Sequence, residues 1–337
     1  MKEALFYEKL EDQKVHCFLC RHHCKINDGK RGLCGVRENK GGMLYTLVYG
    51  LPCSYHVDPI EKKPLFHFYP GSKAFSIATA GCNFRCRHCQ NHEISQMPRD
   101  GGHIFGQKME PSEVVDGAAK AGCKSISYTY TEPTMFYEYA LDTARLAKEK
   151  GIHNNFVTNG YIEEEPLKAV RPYLDAANID LKGFNEEFYK KICGAELEGV
   201  LDTIKVYKSI GIWIELTTLV IPGYNDKEEE LKAIALFIKD NLGVETPWHV
   251  SAFYPTYKLT DVPRTPAKTL ERAREIGIEE GLRYVYMGNI PGSDGENTYC
   301  WSCNKLVIGR YGYVISEYNI KNGACTFCGA IIDGVGL

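Results

Sequence analysis

From about residue 73 to residue 290, short runs of β-type residues alternate with longer stretches whose apolar positions recur at helical spacing. The runs are 74–78, 125–128, 153–157, 177–181, 212–216, 249–253 and 283–287. Each is too short for a helix, so each reads as a strand. The helical stretches between them have readable ends. Asp226, with Glu229 three residues on, forms a capping-box pattern ahead of Leu231, Ile234, Ala235 and Ile238. Thr265 places a capping side chain before Pro266 at a first helical position. Gly122, Gly151, Gly211, Gly243 and Gly281 fall where a helix should stop and a strand begin. Such alternation predicts parallel strands with crossover helices. Six or seven units predict an α/β fold, a partial (β/α)6-type parallel barrel.

In such barrels the reacting groups stand on loops at the C-terminal ends of the strands. Those ends carry the segment 81–89, then Thr129, Tyr130, Thr131 and Glu132, then Thr158 and Asn159, then Asp180 and Lys182. Thr217, Thr218, the segment 251–254 and Asn289 follow. Strand ends are polar in any solvated barrel, so this pattern marks a face and no reaction.

Composition narrows the class. The 337 residues hold 40 basic and 43 acidic side chains, a formal charge of −3. A polyanion binder needs a basic surplus, so no nucleic-acid partner is expected. No apolar run nears the roughly 20 residues that span a bilayer. The N-terminus has no long apolar core, so no signal peptide is read and a cytoplasmic location is expected. The chain suits one large α/β domain with small appendages, or two medium domains. The expected division is a cysteine-rich N-terminal segment (1–72), the barrel (73–290) and a four-cysteine tail (291–337).

The 14 cysteines change the picture most. Four stand at 17, 20, 24 and 34, three at 82, 86 and 89, and four at 300, 303, 325 and 328. Cys53, Cys123 and Cys193 stand alone and read as buried hydrophobes. In a reducing compartment, clustered thiols point to metal ligation. Cys82, Cys86 and Cys89 read C-x3-C-x2-C directly after the first barrel strand. Three thiolates on one loop can hold three corners of a cubane iron–sulfur cluster and leave the fourth iron open. An open position marks a catalytic centre. Gly81 allows the tight bend, and Arg85, Arg87 and His88 are candidates to offset thiolate charge. A zinc site completed by His88 or His92 is the plainer alternative.

This motif in this position resembles the radical S-adenosylmethionine superfamily over about residues 73–290. Within it the chain resembles the pyruvate formate-lyase activating enzymes, and more closely the AmmeMemoRadiSam system group. That group carries a C-x2-C-x3-C…Gly-x-Cys-Gly-Val-Arg pattern before the barrel, matched by Cys17 to Arg37, and a C-terminal four-cysteine tail. The resemblance implies that Cys82, Cys86 and Cys89 ligate a [4Fe–4S] cluster, with S-adenosylmethionine chelating the fourth iron. It implies that Tyr130-Thr131-Glu132 bind the cofactor's amino group, where Glu132 can accept from the ammonium. Thr158-Asn159-Gly160 resembles a cofactor-binding Asp-Thr-Asn-Gly segment. Asp180-Leu181-Lys182 resembles an Asp-Leu-Lys segment whose Lys meets the cofactor carboxylate. Tyr254 falls where a ribose-contacting His is expected, and His88 where an aromatic shields the adenine.

The chain also departs from that pattern. Tyr130 and Thr131 replace two glycines, and Val157 and Asn178 replace an Asp and a Met that help hold a monovalent cation. The cation site is therefore left open. The chemistry implied is reductive cleavage of S-adenosylmethionine to a 5′-deoxyadenosyl radical that abstracts hydrogen. The electron comes from a low-potential flavodoxin- or ferredoxin-type donor. The cofactor brings the difficult step, and the protein brings orientation and exclusion of water.

Cys300, Cys303, Cys325 and Cys328 form two C-x2-C knuckles, which fit one tetrahedral metal, structural zinc or iron. A rubredoxin-like iron passing electrons is the functional alternative. Cys17, Cys20, Cys24 and Cys34 fit a structural metal or a second cluster, and His16, His22 or His23 can stand in for one thiol. Glu61, Lys62 and Lys63 read as a solvated turn. Three functions follow: radical attack on a glycyl residue of a partner protein; radical modification of a small molecule, lipid or protein side chain; and a non-catalytic, metal-stabilised binding protein.

Overall fold

The computed structural model describes residues 1–290 and 292–337. Pro291, the first residue of the expected tail, lies outside the described residues. Eight strands form one sheet, each beside its neighbour in sequence. They are β1 (Pro52–Pro59), β2 (Lys73–Thr79), β3 (Ser125–Tyr128), β4 (His153–Thr158), β5 (Ala176–Asp180), β6 (Trp213–Val220), β7 (Trp248–Ala252) and β8 (Val285–Gly288). Strands β2 to β8 run parallel, as the sequence pattern predicts. Strand β1 adds to the edge of β2 in antiparallel sense, with Ile77 opposite Tyr55.

Helices α1 (Pro111–Lys120), α2 (Tyr137–Glu149), α3 (Glu164–Val170), α4 (Leu197–Ser209), α5 (Glu228–Leu242) and α6 (Ala267–Glu279) are the crossovers. Their apolar stripes bury Ile204 and Tyr207 of α4, Ile234 and Ile238 of α5, and Leu270 and Ala273 of α6. Strands β3 and β7 are buried along their whole length. The five glycines between helices and strands all have positive φ, for example 68° at Gly151 and 75° at Gly211.

Two helix starts differ from expectation. Asp226 accepts from the Gly223 N–H (2.9 Å) in the preceding turn, and α5 begins after Lys227 without a side-chain cap. Thr265 bridges the ends of β6 and β7, donating to the Val220 carbonyl (2.6 Å) and accepting from the Phe253 N–H (2.9 Å). It does not cap α6. In the turn expected to be solvated, Lys62 alone is exposed. Glu61 and Lys63 are each 2% exposed. Lys63 enters the barrel to pair with Asp58 (2.6 Å), and its ammonium lies 4.5 Å from the Tyr130 ring centroid. Burial lowers its pKa to about 8.

The N-terminal segment forms two small three-stranded sheets. Their apolar residues, Val15, Leu19 and Val36 among them, join the core of the barrel. A fully buried pair, Arg37 with Glu138 of α2, fixes the contact. The C-terminal tail forms a three-stranded sheet and a hairpin around its own small core, to which the barrel lends Phe66, Tyr284 and Tyr286. Among the described residues no helix is long and apolar enough to cross a membrane.

Candidate functional site

The loop after β2 is held from three sides. Gly81 has φ of 105°, and a Cβ there would meet Val36 at 2.6 Å, so only glycine lets the N-terminal segment approach. The Arg85 and Arg87 N–H groups donate to the Cys193 and Ile192 carbonyls (2.7 and 3.0 Å) of the π-helical turn Tyr189–Cys193. Asn159, at the end of β4, donates to Asn83 Oδ1 (2.7 Å) and to Cys82 Sγ (3.8 Å). The three thiols of the loop are thereby presented at the C-terminal ends of the strands.

All three thiols are pushed up in pKa. Burial acts first on Cys82 and Cys89; for Cys86 the neighbouring Cys193 thiol acts first, then burial. A metal ion bound by these thiols would deprotonate them. Arg85 and Arg87 do not supply the charge, because both side chains turn to solvent. Lys182 does lie nearby. Burial lowers its pKa, but Asp180, at 2.8 Å, and the Cys86 and Cys193 thiols outweigh burial and hold it above the ordinary value. Lys182 and Asp180, placed by the end of β5, form an ion pair beside Cys86.

His88 is 4% exposed and lies parallel to Phe188, with ring centroids 6.2 Å apart. Burial, then Lys182, lowers its pKa to about 3, so it is neutral at pH 7. Its Nδ1 has no partner among the described residues. Ser95 lies against Cys89 (3.2 Å).

Glu132 is 1% exposed, and its carboxylate accepts from the Thr134 N–H (3.0 Å) and hydroxyl (2.6 Å), the Thr158 hydroxyl (2.8 Å) and the Asn159 N–H (2.8 Å). Burial raises its pKa against these four donors. The side chain joins the ends of β3 and β4, with three of the four bonds on Oε1 and one on Oε2. Thr158 and Asn159 are thus fixed through Glu132.

Tyr130 stands where the resemblance expects glycine, and it takes a glycine-like φ of 61°. Its hydroxyl bonds Asp58 inside the barrel, which anchors this unfavourable conformation. The Thr131 hydroxyl donates to the Thr79 carbonyl (2.8 Å). Tyr254 stands on the rim, its hydroxyl donating to the Asn289 carbonyl (3.1 Å) and its ring 4.5 Å from the Arg264 guanidinium. Asn178, at the expected cation position, is occupied by Thr217 (2.9 Å) and the Pro64 carbonyl (2.8 Å).

Cys193 and Ser95 escape sequence reading. Neither belongs to a motif, and the π turn and the loop after Cys89 bring them in. Cys193 is nevertheless fully buried, as a lone hydrophobe would be.

In the tail, the four thiols of Cys300, Cys303, Cys325 and Cys328 lie within 4.8 Å of one another. Cys300 is 3.7 Å from Cys328, and Cys303 is 3.8 Å from Cys325. A tetrahedron with metal–sulfur bonds of about 2.3 Å has edges of about 3.8 Å, so the set is shaped for one metal ion.

Residues 76–235 match the family model of the Radical SAM superfamily. The chain is 54% identical over 335 residues to an uncharacterized protein of Methanocaldococcus jannaschii, covering 99% of each. It is 25% identical over 222 residues to pyruvate formate-lyase 1-activating enzyme of Escherichia coli, spanning 61% of this chain and 89% of that one. The chain belongs to the radical SAM superfamily. Solved radical SAM structures share the fold. A radical SAM methyltransferase from Sphaerobacter thermophilus aligns with a TM-score of 0.51 at 14% identity, over 71% of each chain. Streptococcus suis SuiB bound to S-adenosylmethionine aligns with a TM-score of 0.52 at 11% identity, over 69% of this chain and 53% of that one.

Proposed function

We propose that this protein is a radical SAM enzyme that cleaves S-adenosylmethionine reductively and abstracts hydrogen from a glycyl residue of a partner protein. The observation that carries the chemistry is the set of three thiols, Cys82, Cys86 and Cys89, gathered on the one loop after β2 at the C-terminal ends of the strands. When bound there, a [4Fe–4S] cluster supplies the electron that breaks a carbon–sulfur bond of the sulfonium and releases the 5′-deoxyadenosyl radical.

This chain's residues hold and orient. Cys82, Cys86 and Cys89 ligate. Lys182 offers a cation to the cofactor carboxylate, with Asp180 fixing its position. Thr158 and Asn159 are set by Glu132, and Tyr254 lies at the rim for the ribose. Neutral His88 and Phe188 form an apolar wall that keeps water from the adenine. Asn83 and Asn159 lie against Cys82 and limit access to it. The tail thiols hold a structural metal, zinc by their spacing, which adds to the small core of that segment.

The glycyl target draws support from the activating enzymes of E. coli and Clostridium pasteurianum, the latter 25% identical over 217 residues and covered over 87% of its length. A second reading is favoured by a GTP 3′,8-cyclase of Peptoclostridium acidaminophilum, 27% identical over 247 residues, whose name specifies a small-molecule substrate. A groove lined by Arg31, Arg85, Arg99 and Lys258 suits an acidic electron donor of the flavodoxin or ferredoxin type.

The first test is anaerobic. The reconstituted, reduced protein is expected to form 5′-deoxyadenosine from S-adenosylmethionine, and the Cys86→Ala variant to form none. No product from a wild type with its full iron and sulfide would leave a metal-stabilised binding protein. Transfer of deuterium into 5′-deoxyadenosine from a labelled glycyl protein, or from a labelled nucleotide, separates the two substrate readings.

A further inference from the structure

The four N-terminal thiols converge on one site. Cys17 ends a strand and Cys24 opens the next, and the two stand opposite each other in register. Cys20 sits in the turn between them, tied by a β-bridge to Ile162. Cys34 comes from the following loop, whose Gly32 packs against the Cys24 side chain. Cys17, Cys20, Cys24 and Cys34 together line a single cavity, and all but Cys24 are buried.

Spacing separates one ion from a cluster. Among the described residues, the tail quartet is the one group of three or more ligating side chains whose donor atoms all lie within 4.8 Å. The N-terminal quartet shares a cavity yet stands wider than a single tetrahedral ion requires. The barrel triplet is wide in the same sense. Thiolates around a cubane each bind a different iron and so stand farther apart. Four thiols complete the set without histidine. His16 and His23 bond each other (3.3 Å) and the carboxylates of Glu8 and Glu163. His22 lines the same cavity, but its Nε2 is engaged by the Asn83 carbonyl (3.0 Å).

The lining is built for sulfur acceptors. Arg37, 2% exposed, donates to Cys17 Sγ (3.7 Å). Its Nε and the Nδ2 of Asn83, which is 1% exposed, have no acceptor among the described residues, and both residues line the cavity. Buried N–H groups without acceptors are costly. Cluster sulfides would satisfy them, and such bonds also set a cluster's potential.

We propose that Cys17, Cys20, Cys24 and Cys34 hold a second [4Fe–4S] cluster that relays electrons to the barrel site. Four protein ligands leave no open iron, so the site binds no substrate. It takes one electron from a flavodoxin- or ferredoxin-type donor and returns it to the barrel cluster, and no bond or proton changes place. Asn83 connects the two sites, since it lines the cavity, follows Cys82 in sequence and bonds Asn159 beside the Cys82 sulfur. The destination of the electron rests on the proposed function; the cluster itself does not.

The test is made on the full chain with Cys82, Cys86 and Cys89 all changed to alanine, reconstituted anaerobically with iron and sulfide. The variant is expected to keep about four irons and four sulfides, with an EPR signal on reduction that S-adenosylmethionine does not shift. A folded triple variant without iron and sulfide, or with a single zinc ion at the quartet, would overturn the proposal. Should the triple variant not fold, Cys24→Ala with Cys34→Ala is expected to halve cluster iron and to leave a signal that S-adenosylmethionine shifts. Unchanged iron there would overturn the site. Reduction of the remaining cluster by reduced flavodoxin should then slow at least tenfold, and an unchanged rate would overturn the relay. If the wild type makes no 5′-deoxyadenosine while the triple variant keeps its cluster, the proposed function fails and the second site stands.

Discussion

Where the barrel strands begin, polar side chains find one another. Glu215 accepts from the Phe66 and His67 N–H groups (2.9 and 2.8 Å) and the Trp213 indole (3.1 Å), and it pairs with His249 (2.8 Å). His67 bonds the Tyr286 hydroxyl, which meets Thr298, which in turn accepts from Arg310 (2.7 Å). The chain of contacts ends in the tail and seals the lower end of the barrel. Where the strands finish, the balance differs. Of the three thiols, Cys86 and Cys89 have one neighbouring cation, Lys182, which Asp180 already pairs, and among the described residues Nδ1 of His88 and Nδ2 of Asn83 lack partners. Unpartnered atoms alone do not draw this contrast, since among the described residues Arg310 Nε and Glu61 Oε2 lack hydrogen-bond partners near the lower end as well; the gathered thiols do. This division matches the general separation of stability and activity between the two faces of such barrels.

The largest expected effect breaks the lower end. Glu215→Gln removes the charge and places an amide N–H where N–H donors already crowd. Breaking a buried pair and leaving donors unmet costs about 3–5 kcal/mol. The unfolding free energy from urea titration should fall by that amount, while a folded sample still takes up cluster iron. A loss under 1 kcal/mol would remove the network's claim to hold the fold.

A smaller effect comes from pH. Burial lowers His67 from 6.5 to about 4 and, at the other end, His88 to about 3. Both pKa values are lower in the folded chain than in the unfolded one. Their contribution is therefore complete above pH 6.5 and is lost as the unfolded chain takes up protons below it. For His67 alone the loss down to its folded value is of the order of 3 kcal/mol. Glu215 is also held below its ordinary value: burial raises it, but His249 and His67 outweigh that, so it adds in the same direction at more acid pH. Unfolding free energy should drop between about pH 7 and pH 5, and His88→Phe should flatten only the part owed to the upper end. A flat profile in the wild type would contradict the assignment.

How much of this the sequence showed depends on how local each feature is. Cys82, Cys86 and Cys89 lie within one loop, and the seven parallel strands announce themselves by alternation. Strand β1 does not, because its burial follows no clean alternation. Lys63 looks like a surface cation until Asp58 and Tyr130 are folded around it. The Glu132 carboxylate looks free until Thr158 and Asn159, 26 and 27 positions away, donate to it. Cys193 carries no motif, and only the π turn sets it beside Cys86. Asp226 shows the reverse error: its spacing to Glu229 is right for a cap, but a nearer N–H at Gly223 takes the carboxylate. Sequence shows which residues share a segment, whereas the spending of a polar group is decided across segments.

The sharpest comparison of the two ends is Lys182→Met. Like Glu215, Lys182 is a charged side chain in an ion pair, here with Asp180 at 2.8 Å. Unlike Glu215, its partner is about a third exposed, with side-chain exposures of 16% for Lys182 and 34% for Asp180. Water can take up the freed carboxylate, so stability should change by less than about 1 kcal/mol. If the ammonium meets the cofactor carboxylate, its loss removes a charged hydrogen bond of about 2 kcal/mol, or roughly thirty-fold in Kd. Equilibrium dialysis of S-adenosylmethionine against the reconstituted variant reads the second quantity, and urea unfolding of the apoprotein reads the first. Weakened binding with an intact fold would place Lys182 among the groups reserved for a ligand. Unchanged binding with a loss of several kcal/mol would place it with Glu215, and the upper end would then differ from the lower only at its sulfurs and at Nδ1 of His88.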